Sequence, residues 1–173
     1  MQQSPATLTG VQLTLRGQRA VRVEEREADM RQEQRTAVVE VLVAGQDWVR
    51  GASGMVLMLA DNRTSGEQAE PLADYGGRLR AYQRALAAAR IGIDEPRLAP
   101  RVSQISDHQI SFTEVTGRLV AAVKERREVT LDVSSGQDFL GIHRDLLVQL
   151  EQEALAVFAP VVRPARRGAP RSQ

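Results

Sequence analysis

The segment VVEVLVAGQDWVRGASGMVLML, residues 38–59, carries the pattern that decides the fold. Val38, Gly45, Ala52 and Leu59 lie seven residues apart in it. Apolar pairs fall between them: Val41/Leu42, Trp48/Val49 and Met55/Val56. Such a repeat, with 3.5 residues per turn, is typical of a helix that packs one face against other helices. The segment therefore predicts the core helix of an all-α protein.

Three later segments repeat apolar residues at spacings of three and four, which indicates three further helices. Because the connections are short, neighbouring helices are expected to be antiparallel, as in an up-down four-helix bundle. We predict one bundle domain over residues 16–160, after a flexible N-terminus (1–15) and before a disordered basic tail (161–173). The predicted helices span residues 16–61, 71–91, 102–131 and 136–159.

Details inside the last two helices are left open by the sequence. Capping-box patterns at Ser106–Gln109 and Ser111–Glu114 allow a break in the third helix near residue 110. Pro96 and Pro100 are expected to keep the connection before that helix non-helical. In the fourth helix, Ile142 falls on the apolar stripe.

The first helix is much longer than the second, so its N-terminal half should extend beyond the bundle. Arginine and glutamate alternate there, which favours an exposed helix. We predict that this charged, overhanging half is a docking or self-association arm. Its candidate interaction residues are Arg16, Arg19, Arg22, Val23, Arg26 and Met30.

Composition limits the class of protein. The net charge of +1 gives the whole chain no attraction for polyanions. Lys124 is the only lysine among 23 basic residues, a bias typical of GC-rich coding rather than of phosphate recognition. Cysteine is absent, and no apolar run approaches the ~20 residues that cross a bilayer. We therefore expect a cytoplasmic bacterial protein without a transmembrane segment.

Glycines inside the predicted helices suggest one candidate ligand site. Aligning the first two helices as a hairpin places Gly54 opposite Gly77, with Gly141 near the same level. One interpretation is close backbone approach without a pocket. The other is a small apolar-ligand pocket formed by Trp48, Gly54, Tyr75, Gly77, Tyr82 and His143.

No pattern in the sequence predicts a catalytic residue, a metal site or a cofactor. His108 and His143 are the only histidines, and the predicted topology separates them by about 22 Å along the bundle. We therefore expect each to be a surface or capping residue. The tail offers Arg163, Arg166, Arg167 and Arg171 to nucleic acid or an anionic membrane, although its composition favours a solvated tail.

The stretch LTLRGQRAVRVEEREADMRQEQRTAVVEVLVAGQDW, Leu13–Trp48, resembles the opening helix of uncharacterised helical-bundle proteins of actinobacteria. In that group a membrane anchor often precedes the charged helix and a small bundle follows it. The resemblance covers the first third of the chain and implies no functional residues. Here the residues before Arg16 are too few and too polar to span a membrane.

We therefore expect a non-enzymatic, coiled-coil-like interaction or scaffold module that self-associates through its charged N-terminal helix. The alternative is a sensor that binds a small apolar ligand at the glycine-rich level.

Overall fold

The computed structural model describes residues 5–60, 69–124 and 133–159, and these form four α-helices. They are α1 (Pro5–Ala60), α2 (Ala69–Gly92), α3 (Leu98–Lys124) and α4 (Val133–Phe158). Helix α1 packs mainly against α2 and α4, while α3 packs between α2 and α4 on the far side. The all-α, up-down four-helix bundle is confirmed. The predicted basic tail lies outside the described residues.

Helix α1 begins at Pro5, well before the predicted start at Arg16, so residues 5–15 are helical rather than a flexible leader. Its 56 residues span about 84 Å, whereas the 24 residues of α2 span about 36 Å. Burial begins only near Ala37, and every residue of 21–33 is exposed. The extended, overhanging first helix is therefore confirmed.

The predicted apolar stripe of α1 forms the centre of the core. Val38, Gly45 and Ala52 are buried, and so is at least one member of each apolar pair between them. From α2 the core receives Tyr75, Tyr82, Leu86 and Ala89, which lie at helical spacing on one face. None of the four helices, over the parts described, is both long and apolar enough to cross a membrane.

The connection between α2 and α3 is short, and the structure explains how it ends one helix and starts the next. The backbone carbonyl of Glu95 accepts from the N–H groups of Leu98 and Ala99 at 3.0 Å. Pro100 lies inside the first turn of α3, where a missing N–H costs nothing, so its predicted non-helical place was wrong. Gln34, which lies where the exposed half of α1 enters the bundle, donates to the Asp94 carboxylate and holds this loop against α1.

Helix α3 is continuous across residue 110, without the break that its two capping patterns allowed. Ser111 instead donates to the carbonyl of Asp107 one turn earlier, so its hydroxyl bonds back into the same helix and does not cap a new one. The helix is described as far as Lys124, so its predicted end at residue 131 lies outside the described residues.

Candidate functional site: a buried tyrosine–histidine–histidine chain

Trp48 lies at the centre of the bundle and contacts rings from all three other helices. Its ring centroid is 5.4 Å from that of Tyr82 in a stacked arrangement. It meets Phe112 at 5.3 Å and His143 at 4.8 Å, both edge to face. Because aromatic pairs in these geometries attract one another, the cluster fixes the rotations of four helices relative to each other.

A hydrogen-bonded chain runs from this cluster towards the surface. The Tyr82 hydroxyl on α2 is 2.8 Å from His143 Nε2 on α4. The other ring nitrogen of His143, Nδ1, is 3.0 Å from Nδ1 of His108 on α3. Tyr82 and His143 are fully buried, whereas His108 is partly exposed. The chain therefore has a buried end and an end that reaches solvent.

Proton positions follow from the number of donors and acceptors. The two facing Nδ1 atoms need one proton between them, so one imidazole donates and the other accepts. If His143 donates from Nδ1, its Nε2 is an acceptor for the Tyr82 hydroxyl, and each of the two hydrogen bonds in the chain has one donor and one acceptor. In the reverse arrangement His143 Nε2 carries a proton and the Tyr82 hydrogen needs another acceptor. The first arrangement is therefore favoured in the neutral protein.

Burial keeps the chain neutral. It lowers the pKa of His143 to about 3, and the neighbouring His108 lowers it further in the same direction. Burial also lowers the pKa of His108 and raises that of Tyr82. In the described residues no carboxylate lies within ion-pair distance of either imidazole to offset these effects. At neutral pH the chain therefore consists of two imidazoles and a phenol.

Two further polar groups are buried in the core beside this chain. The Trp48 indole N–H and the Tyr75 hydroxyl make no hydrogen bond within the described residues. Burial raises the pKa of Tyr75, an effect opposed by the nearby Trp48, Thr116 and Thr113. Buried polar groups without partners cost free energy of folding.

The structure brings together four of the six residues predicted to bind a ligand. Trp48, Tyr75, Tyr82 and His143 are all buried in the core. However, the rings of Trp48, Tyr82 and His143 contact one another directly, so ring atoms occupy the space that the predicted pocket would need. The four residues therefore lie close together, but they fill the hydrophobic core instead of lining a pocket.

The glycine alignment that suggested the pocket was wrong. Gly54 and Gly77 are exposed, and a Cβ added to either would meet no atom of the described residues within 4 Å; the same holds for Gly141. Close approach occurs instead at Gly45, which contacts α4 and α2, and at Gly136, which contacts α1. The error arose because a shift of a few residues between two helices moves a small residue from the interface to the surface.

The prediction that His108 and His143 lie far apart was also wrong, as was the surface position of His143, whereas His108 is partly exposed. The prediction assumed a register between α3 and α4 in which the chain reverses after residue 131, and the observed histidine pair has a different register. The ion pair Arg101–Glu153 shows the same register between α3 and α4 as the histidine pair. Consequently His143 takes the core position, and Ile142, predicted to face inward, is exposed.

The sequence pattern contained one feature that indicated this burial. His143 lies three residues after Leu140 and four before Leu147, which are both buried. A polar residue in the middle of an apolar stripe either faces a partner or faces the surface, and the sequence alone does not say which. Even so, the described residues contain no group of three or more side chains that could hold a metal ion.

The predicted interaction residues lie on the overhang. Arg22, Val23, Arg26 and Met30 are exposed on α1. The side chains of Arg16 and Arg19 lie outside the described residues, as do the four tail arginines.

A surface cleft of about 320 Å³ lies between α1 and α4, away from the predicted pocket. Arg50, Arg144 and Glu151 contribute charges to its lining, beside the apolar Val49, Leu147 and Val148. Its mixed lining differs from the aromatic site that the sequence suggested.

No protein-family model, curated protein or solved structure matches the chain.

Proposed function

We propose that the protein is a non-enzymatic, cytoplasmic interaction module that self-associates through the exposed half of α1. The observation that carries this proposal is the run of thirteen consecutive exposed residues, Val21–Glu33, in a helix that continues without interruption into the core. A helical segment of this length gains little stability alone in water and normally depends on packing. A partner would supply the packing that this segment lacks within its own bundle.

The apolar residues of the exposed segment support association along one line. Val23 and Met30 are seven residues apart and about half exposed, at 53% and 51%. Seven further residues along lies Ala37, where burial in the bundle begins. The line is therefore the continuation of the face that α1 uses to pack against its own bundle.

Charged residues form two rows, one on each side of this line. At helical spacing, the first row runs from arginine to acid: Arg22, Arg26, Asp29, Glu33. The second row has the opposite order: Glu24, Glu27, Arg31, Arg35. In each row the charge of the side chains changes sign near Ala28. Such flanking charges set partner choice in helix pairs.

This pattern is complementary to itself. If a second copy lies antiparallel across Ala28, each row faces the same row reversed, so that arginines meet acids. If it lies parallel, the first row faces the second, and again opposite charges meet. A second copy of this chain is therefore a partner with matching chemistry, although each exposed pair contributes only about 0.2–1 kcal/mol.

A ligand-sensing role has less support, because the aromatic rings that would line the pocket contact one another.

Light scattering after size-exclusion chromatography tests the proposal with a matched pair of variants. Val21 and Val23 are both 53% exposed but lie on opposite sides of α1. We expect the full chain to form a dimer, Val23→Glu to weaken it, and Val21→Glu to leave it unchanged. A monomeric full chain at high micromolar concentration, or equal effects of the two variants, would contradict the proposal.

A further inference from the structure

We infer that His108 and His143 form a single hydrogen-bonded site that takes up one proton in the folded protein, with the buried Tyr82 as the inner end of the chain. The inference rests on the two distances that join these three side chains and on their burial, and it is independent of self-association.

The proton balance defines two states of the chain. The neutral state holds three exchangeable protons, on the Tyr82 oxygen, His143 Nδ1 and His108 Nε2. Uptake of one proton gives a state with four, in which both nitrogens of His108 are protonated. His108 Nδ1 then donates to His143 Nδ1, and the proton of His143 moves to Nε2, where it is donated to the Tyr82 oxygen. Tyr82 thus changes from donor to acceptor.

A second proton has no position in the folded chain. It would place an N–H on both Nδ1 atoms, which face each other at 3.0 Å without an acceptor between them. Unfolding separates the rings and allows both to be protonated. The folded protein is therefore limited to one proton at a site where the unfolded chain binds two.

The surroundings make even the first proton unfavourable. Tyr82 faces the pair from α2, Trp48 faces it from α1 without titrating, and Phe139 of α4 lies 3.9 Å from the His108 ring. Among the described residues, no carboxylate lies within ion-pair distance of the imidazoles as a counter-ion. After uptake, the Tyr82 hydrogen must also find a new acceptor inside the core. Acidification is therefore expected to weaken the packing between α2, α3 and α4.

Nitrogen-15 NMR of the imidazoles tests this inference directly, because the chain contains only two histidines. In chelator-treated, labelled protein at pH 7.5, we expect His143 to carry its proton on Nδ1 and His108 on Nε2. Acidification of the folded protein should add one proton, at His108, and convert His143 to the Nε2–H form. The Nε2–H form of His143 at pH 7.5, or two protonated rings in folded protein, would overturn the inference.

Two variants separate the site from ordinary burial. His108→Gln changes the partly exposed end and retains hydrogen-bonding groups, so we expect it to fold and to show no imidazole protonation before unfolding. Tyr82→Phe removes the acceptor and donor at the inner end, so His143 should populate both tautomers instead of one. If Tyr82→Phe leaves the tautomer of His143 unchanged, Tyr82 has no part in the site. If that variant does not fold, the wild-type tautomers and the His108→Gln titration still decide the matter.

Discussion

Gly45 of α1 faces Leu147 of α4 with no room for a side chain between them. A Cβ placed on Gly45 would lie 2.9 and 3.0 Å from the two Leu147 methyl carbons and 3.0 Å from Tyr82 Cε2. Real Cβ atoms do not approach other atoms so closely, so α1 and α4 depend on the missing side chain for their separation. The same contact holds Tyr82, and through it the buried histidine chain, in place.

We expect Gly45→Ala to destabilise the protein by about 1–3 kcal/mol, because overpacking exceeds the gain of about 1 kcal/mol in helix propensity. Gly54→Ala is the matched control, since Gly54 lies in the same helix with nothing within 4 Å of the added carbon. That variant should be stabilised by up to about 1 kcal/mol. Urea denaturation followed by circular dichroism measures both, and equal stabilisation by the two substitutions would show that the close contact is absent.

Stability should fall as the pH decreases below about 6.5. The pKa of His143 is about 3 in the folded protein, below the ordinary value of 6.5 that applies to the unfolded chain. Because the unfolded chain then binds protons first, the stability present above pH 6.5 is lost as the pH falls towards 3. The expected loss is about 1.4 kcal/mol per pH unit for each excluded proton.

Denaturation midpoints between pH 7.5 and 5 test this, since most carboxylates remain ionised in that range. His143→Gln is the comparison, because an amide does not titrate and can still bond to Tyr82 or His108. Its stability should vary less with pH than that of the wild type, even if it is lower at pH 7.5. Parallel pH profiles for the two proteins would exclude His143 as the source of the effect.

The ion pair between Arg101 and Glu153 should stabilise the α3–α4 contact more than a surface pair does. The nitrogen–oxygen distance is 2.8 Å, and the side chains are only 23% and 26% exposed. Arg101 Nε and Glu153 Oε2 are buried and have no hydrogen-bond partner in the described part of the chain, so removing one residue leaves a poorly solvated charge.

We expect Glu153→Leu to cost about 1–2 kcal/mol, less than for a fully buried pair because of the remaining exposure. The double variant Arg101→Met with Glu153→Leu should recover much of this loss, since neither charge remains. Asp74→Asn serves as the control, because Asp74 is 60% exposed in its pair with Arg78, and should change stability by less than about 0.5 kcal/mol. If the double variant instead loses as much stability as the two single substitutions added together, Arg101 and Glu153 are not energetically coupled.

The sequence predicted the fold because the fold depends on long, regular patterns. The stripe of Val38, Gly45 and Ala52 extends over several turns, and its period alone indicates a packed helix. Likewise, the charged stretch before it contains too few apolar residues to pack, which predicted the overhang. Neither inference requires knowing where a helix ends to within a few residues.

The candidate site was not predictable because it depends on the register between helices. His108 and His143 meet because α3 and α4 pair in a different register from the predicted one. Gly54 and Gly77 are likewise exposed on α1 and α2, where the predicted alignment placed them at the interface. Helix boundaries are the least certain feature of a sequence pattern, and each residue of error in register shifts a contact by about 1.5 Å. Long-range contacts between polar residues therefore required the structure.

The charged rows of the exposed segment predict a reciprocal effect of charge reversal. Arg22→Glu with Arg26→Glu makes the first row entirely acidic, and Asp29→Arg with Glu33→Arg makes it entirely basic. In the antiparallel arrangement, where the first row faces itself, each double variant should repel its own copy and dissociate, whereas an equimolar mixture should form a heterodimer. With about 0.2–1 kcal/mol for each exposed pair, we expect each variant alone to dimerise about 10–100-fold more weakly.

Sedimentation or light scattering at 50 and 500 mM salt measures how much dimer the mixture forms. The heterodimer should be weaker at the higher salt because exposed charges are screened. Arg84→Glu with Arg90→Glu makes the same change in charge at exposed positions on α2 and should leave dimerisation unchanged. If the two charge-reversed variants remain separate when mixed, the first rows do not face each other and the antiparallel arrangement is excluded. If both remain dimeric alone, the copies associate through another surface, and the exposed half of α1 then serves a different partner.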